Sequence, residues 1–280
     1  MESVIEQYLK ENTDMSISDE VIGIGGMKKV YMGHINSQNI DCVVKVVEVN
    51  STNSEKRTRR ELEILKSLDS DFFPKIYDVF EKKDSHGNKF IIIIEQFIDG
   101  SNLREYIKEK EIDEKEAIEI SYQLMLALQI VHQKGLVHRD VKPENIMLTK
   151  DSKVVLLDFG IARDLIADSI TSDLSPYGPM TVGYAAPEQI HNKKRLISAR
   201  TDFFSWAVVF VELLNGKNLL KEGTSTPSEV INRTLKLNEH LILIKCTDIQ
   251  VEQIIRKNLN SEVHRRSNSE LEILKVLEAS

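Results

Sequence analysis

The chain has 280 residues, 41% of them hydrophobic and 29% charged, with a formal net charge of −7. That suffices for one large domain or two lobes with a buried core, and excludes a disordered chain. The acidic balance excludes a nucleic-acid surface as the main role, and Cys42 and Cys246 lack disulfide-framework or metal-ligand spacing, which fits a reducing cytoplasm.

In chain order, Val4, Ile5, Tyr8 and Leu9 suggest a short amphipathic helix within an extension over residues 1–16. No basic region followed by an apolar run marks a secretory signal there. Strands are expected over Val21–Ile24, Val30–Ile35 and Asp41–Val49, separated by Gly, Asn and Ser turn signals. The first turn holds Gly23, Gly25 and Gly26, where absent side chains let a hairpin backbone approach phosphates. A dinucleotide-binding turn would lead into a helix, but a β-branched run follows.

Lys45 lies among valines, so its charge needs a partner. A helix predicted over Ser54–Leu68 offers Glu61. Ile76–Glu81 and Phe90–Glu95 complete a sheet, joined by the turn-like segment 84–88. Asp99-Gly100-Ser101-Asn102 marks a boundary between a strand-rich part, residues 17–98, and a helix-rich part, residues 99–280. Helices are expected over Leu103–Glu109, Glu114–Lys134 and Asp202–Leu214, with others toward Ser280. The longest apolar stretch, Phe203–Leu214, is interrupted by Ser205 and Glu212 and is too short to span a bilayer. This is an α+β, two-lobe arrangement.

The chemistry concentrates in His138-Arg139-Asp140-Val141-Lys142-Pro143-Glu144-Asn145 and in Asp158-Phe159-Gly160, which follows the apolar run Val154–Leu157. An Asp, an Asn five residues on, and a strand ending in a second Asp are what phosphoryl transfer from ATP requires.

With Gly23 to Val30, Lys45, Glu61 and Ala186-Pro187-Glu188, these segments resemble the protein-kinase signature set in its chain order. The likeness covers roughly Ser16 to Leu277. Gly25-Gly26-Met27 and Tyr184–Gln189 resemble bacterial eukaryotic-like (Hanks-type) Ser/Thr kinases. The resemblance implies one catalytic domain over 1–280, with a five-stranded antiparallel sheet and one regulatory helix, then a mostly helical lobe. It implies ATP with Mg2+ (Mn2+ as the alternative) and a protein substrate.

Carried over residue by residue, Asp140 would orient or deprotonate the attacking hydroxyl and Lys142 would neutralise the γ-phosphate. Asn145 and Asp158 would hold the metal. Gly23 and Gly25 would cover the phosphates, a Lys45–Glu61 pair would hold the α- and β-phosphates, and Val30, Val43 and Met147 would enclose the adenine. Arg139 would pair with a phosphate on the activation segment, where Ser169, Thr171, Ser172 and Ser175 are candidates. Thr181 would bond Asp140 and Lys142. Leu65, His138 and Phe159 would stack in a column anchored by Asp202, and Glu188 would pair with Arg265 in preference to Arg266.

Several positions depart from the pattern. Lys28 replaces the third glycine, Val43 takes a position usually held by alanine, and Ala207 replaces a glycine. Glu95–Gly100 fits two registers, one of which puts Glu95 at the gatekeeper position. Residues 215–238 fit the family poorly, in a region that normally helps bind substrates. Lys56, Arg57, Arg59 and Arg60 form either a solvated helix face or a homodimer face for trans-autophosphorylation. The competing functions are a pseudokinase scaffold, disfavoured because Lys45, Asp140 and Asp158 are all present, and a small-molecule kinase, disfavoured by Lys142 and the Ala-Pro-Glu segment.

Overall fold

A computed structural model describes residues 14–25, 28–49, 62, 63, 66, 68, 70–84, 86–158 and 180–280. They form two compact units, the first ending at Ile98 and the second beginning at Asp99.

The described strands of the first unit, β1 (Met15–Gly25), β2 (Lys28–Ile35), β3 (Ile40–Val49), β4 (Ile76–Lys83) and β5 (Lys89–Gln96), form an antiparallel sheet in the order β1-β2-β3-β5-β4. β1 is longer than the sequence suggested and begins where the N-terminal helix was expected to end. The reason is a period-two pattern: Met15 and Ile17 are buried while Ser16 and Ser18 are exposed. Residues 1–13, and the 54–68 helix apart from Leu62, Glu63, Lys66 and Leu68, lie outside the described residues. The β4–β5 turn forms because the Asp84 carboxylate accepts from the amides of His86 and Asn88, both at 2.9 Å, and Gly87 supplies φ of +84°.

Pairing register assigns the two faces of this sheet. Met15, Ile17, Tyr31, Cys42, Val44, Val46, Phe90, Ile92 and Ile94 form one packed cluster. On the other face stand Gly23 opposite Val30, Val30 opposite Lys45, and Val43 opposite Glu95.

The second unit opens with β6 (Gly100–Asn102), which pairs with β7 (Ile146–Thr149), itself paired with β8 (Val154–Leu156). Gly100 must be glycine, because a Cβ there would stand 2.1 Å from the Leu148 carbonyl oxygen. Its helices are α1 (Leu103–Glu109), α2 (Glu114–Gln133), α3 (Pro187–Ile190), α4 (Ala199–Asn215), α5 (Pro227–Leu235), α6 (Ile249–Asn258) and α7 (Glu270–Glu278). Asn102 caps α1 by accepting from the Glu105 amide, and Asp113 caps α2 through the Glu116 amide. α4 ends at Gly216, whose left-handed φ of 73° lets its amide bond Glu212.

α4 is the centre of this unit. Every residue from Thr201 to Leu214 is buried; most are apolar, and the polar Thr201, Asp202, Ser205 and Glu212 each have hydrogen-bond partners. It packs against α2 and α6, and α7 packs against α2. Trp206 is fully buried, and its indole donates to the Ser121 carbonyl at 2.9 Å. Among the described residues no helix is long and apolar enough to cross a membrane.

Candidate active site

The loop from His138 to Asn145 is fixed by its own backbone. The fully buried carboxylate of Asp202, in the first turn of α4, accepts from the amides of His138 at 2.7 Å and Arg139 at 2.8 Å. These bonds hold Arg139 in the left-handed region, φ 65°, which a side chain of its size rarely occupies. His132, on α2, adds a 2.8 Å contact to the same carboxylate. Its other ring nitrogen lies 2.6 Å from Glu270, the first residue of α7.

Burial alone would lower the pKa of His132, but the hydrogen bonds to Asp202 and Glu270 prevail and push it up to about 9. Burial would raise Asp202, yet its bonds with His132 and the loop amide hold it below the usual carboxylate range. His138 behaves in the opposite sense. Fully enclosed, it is pushed down by desolvation. As a neutral ring it bonds the Leu157 carbonyl through Nε2 at 2.9 Å and accepts the Asp140 amide at Nδ1, 3.3 Å away.

From this base three of the expected site side chains converge. Thr181 Oγ1 donates to Asp140 Oδ1 at 2.9 Å and accepts from Lys142 Nζ at 3.2 Å. Lys142 Nζ also lies 3.0 Å from Asp140 Oδ2. Asn145 donates its side-chain NH2 to the Asp140 carbonyl at 2.9 Å, and its own carbonyl accepts the Leu157 amide at 2.8 Å. That bond extends the β7–β8 pairing, so Asn145 and Asp158 lie at one end of the same hairpin. Asp158 is itself left-handed, φ 49°. Met147 stands in β7, opposite Val155.

In the first unit Lys45 Nζ lies 2.5 Å from Glu95 Oε1, and both residues are more than nine-tenths buried. The expected partner, Glu61, lies outside the described residues, as do Phe159, Gly160, Leu65 and the candidate phosphosites Ser169, Thr171, Ser172 and Ser175. By register Glu95 shares a face with Val43 and Lys45, whereas Ile94 belongs to the cluster on the opposite face. Val30, Gly23 and Gly25 occupy the β1–β2 pairing, with Gly25 opposite Lys28.

One expected pairing is corrected. Glu188 is bound by Arg266, with guanidinium nitrogens 2.7 and 2.9 Å from its two oxygens. Arg265 closes a single 3-10 turn and, among the described residues, its side chain pairs with the surface residue Glu262. Extended backbone at Arg266 turns that side chain inward, over the ring of Phe204. Spacing to the last helix could not separate the two arginines, since consecutive residues at the end of a turn point different ways.

A second polar cluster had no counterpart in the sequence reading. Arg104, on α1, bonds Glu144 at 2.9 Å and Glu212 at 2.5 Å, and also reaches the Tyr184 hydroxyl. Tyr184 in turn donates to Glu212 at 2.6 Å. Arg104 is followed by its partners 40, 80 and 108 positions later, so no local pattern signals them.

Comparison with known proteins agrees with this geometry. The chain matches the protein kinase domain family over residues 17–277. It is 33% identical over 217 residues to the serine/threonine-protein kinase PknB of Mycolicibacterium smegmatis, covering 75% of this chain and 33% of that protein. It is 33% identical over 201 residues to PrkC of Bacillus subtilis, covering 70% and 30%. PknA of Corynebacterium glutamicum is 29% identical over 201 residues, covering 70% and 42%. The chain thus spans about a third of the length of the first two of these relatives. A match across almost all of its length, on an α+β chain of sheet followed by helices, places it: the chain belongs to the protein kinase family, with bacterial Hanks-type kinases among its relatives.

Proposed function

We propose that this chain transfers the γ-phosphate of ATP to serine or threonine hydroxyls of proteins, in a Mg2+-dependent reaction. The observation that carries the reading is the Thr181 hydroxyl placed between Asp140 and Lys142. It orients a carboxylate and an ammonium side by side, where one can accept the hydroxyl proton and the other can balance the charge of the transferring phosphoryl group. The names of the relatives support the same acceptor class.

Asn145 and Asp158 suit a hard cation. Asn145 commits its NH2 to Asp140, which leaves the amide oxygen as the donor atom. One amide oxygen and one carboxylate are a small set, which fits Mg2+ because it completes its octahedron with waters and substrate phosphates; Mn2+ accepts the same oxygen donors. When bound, such an ion offsets charge on the phosphate oxygens. Lys45 is assigned to the α- and β-phosphates, Gly23 and Gly25 to covering them, and Val30, Val43 and Met147 to the adenine.

Autophosphorylation between Ser169 and Ser175, read out by Arg139, belongs to the same proposal, as do pairing of two copies through the regulatory-helix face and action in the cytoplasm. Incubation with Mg-ATP followed by intact-mass measurement and peptide mapping tests it. Phosphate is expected on serine or threonine within residues 169–175. An unmodified chain that also fails to label a generic protein acceptor would overturn the reading in favour of a nucleotide-binding scaffold.

A further inference from the structure

Glu95 is out of place by composition. It ends the run Phe90-Ile91-Ile92-Ile93-Ile94 and is 8% exposed, on a strand whose other buried side chains are apolar. A buried carboxylate is tolerated only when paired, and it lies 2.5 Å from Lys45 Nζ, itself 7% exposed. Stability is a poor reason for such a pair, because replacing a buried ion pair with apolar residues of similar volume is often neutral or stabilising. Placement suggests a better one. Glu95 stands directly opposite Val43, on the sheet face that carries Val30 and Lys45. These are the residues assigned above to adenine and phosphates, and the inference rests on that assignment.

We infer that Glu95 is a counter-ion that competes with nucleotide phosphates for Lys45 and thereby sets the affinity for ATP. With Glu95 beside it, the Lys45 ammonium presents less net charge to an incoming triphosphate. A bound phosphate must then share the ammonium with a buried carboxylate or displace it. The penalty falls only on ligands that carry phosphate. Adenosine, whose contacts would be with the apolar positions, does not engage the ammonium. Glu95 is therefore a specificity-determining residue that loosens ATP binding, and nothing in the inference gives it a role in the chemical step.

The test is calorimetric titration of ATP with Mg2+, and separately of adenosine, into the wild type, Glu95→Gln and Glu95→Met. Gln keeps the shape and removes the charge. Met fills the same apolar strand position without polar atoms, which covers the case in which Gln does not fold. Removing the carboxylate is expected to tighten ATP binding about threefold to tenfold in either variant, the size of a charge interaction partly screened by the surrounding protein. Adenosine affinity is expected to stay within about twofold, a difference under half a kcal/mol at room temperature. In a Lys45→Met background the Glu95→Gln effect on ATP is expected to disappear, since double substitution isolates the coupling.

ATP affinity that is unchanged or weakened by both variants would overturn the inference. So would equal tightening of adenosine, which would point to pocket shape, or a full effect persisting without Lys45. A wild type that binds no ATP at all would overturn the nucleotide assignment as well, so the two failures are distinguishable.

Discussion

The guanidinium of Arg266 meets the carboxylate of Glu188 with two hydrogen bonds, and neither side chain is more than 1% exposed. Both ends are otherwise satisfied. Thr201 donates to Glu188 at 2.8 Å, and Arg266 donates to the carbonyls of Asn260 and Arg200. The pair fastens α3, directly after the Tyr184–Ala186 segment, to the chain that leads into α7.

Removing one partner of a fully buried, bidentate pair leaves the other charge stranded, so Arg266→Met should destabilise the fold by about 3–5 kcal/mol. Arg265→Ala, at an exposed side chain, should cost no more than about 0.5 kcal/mol. Urea unfolding of both variants checks the contrast. Equal losses would mean that the buried pair does not hold these elements together.

His132 gives the fold a pH dependence of known sign. Its folded pKa of about 9 stands above the ordinary 6.5, so the folded state binds the proton more tightly. The stabilisation is complete below pH 6.5 and is lost as pH rises through about 9. It amounts to something on the order of 3 kcal/mol by linkage. His132→Asn should therefore lower stability at pH 6 and converge on the wild type near pH 10. Thermal melts across that range test this, and a constant difference between the two proteins would contradict it.

The Arg104 cluster makes a separate prediction. Glu212 is 3% exposed at its side chain and accepts from Arg104 and Tyr184, with a longer bond from Asn218 at 3.3 Å. Arg104→Leu should cost about 3 kcal/mol, because the buried carboxylate loses its cation, while Tyr184→Phe, which removes the hydroxyl that donates to Glu212 and accepts from Arg104 but strands no charge, should cost less, nearer about 1.5 kcal/mol. Denaturant midpoints of the two variants, compared at equal slope, provide the check.

At the catalytic loop, Thr181→Ala removes the hydroxyl that orients Asp140 and Lys142. A hydrogen bond to charged groups contributes about 1.5–3 kcal/mol, which corresponds to a rate loss of roughly 10- to 100-fold. Thr181→Ser keeps the hydroxyl and should retain most of the rate. Steady-state phosphorylation of a protein acceptor, with unchanged melting temperatures, separates this positioning role from a structural one.

What was legible in the sequence was local. Leu103–Glu109 was placed to the residue, because Asn102 caps it and the helical pattern starts at once. The strands β2 to β5 followed from β-rich runs bounded by turn residues, and the expected positions of Asp140, Lys142 and Asn145 from fixed spacing within one loop. What escaped was set by long-range packing. Lys45 meets Glu95 because two strands pair in one register, and a one-residue shift would have put Glu95 on the other face. His132 meets Glu270 across 138 positions, and the choice between Arg265 and Arg266 turns on the backbone of a single turn.

The proposed role of Asp140 is to serve phosphoryl transfer to a protein hydroxyl. Its most direct test is incorporation of labelled γ-phosphate into a generic Ser/Thr acceptor by the wild type and by Asp140→Asn, with the fold of each confirmed by its melting curve. Incorporation by the wild type is expected, with a loss of at least about 1,000-fold in the variant, equivalent to some 4 kcal/mol of barrier. Equal incorporation by a folded Asp140→Asn protein would contradict it.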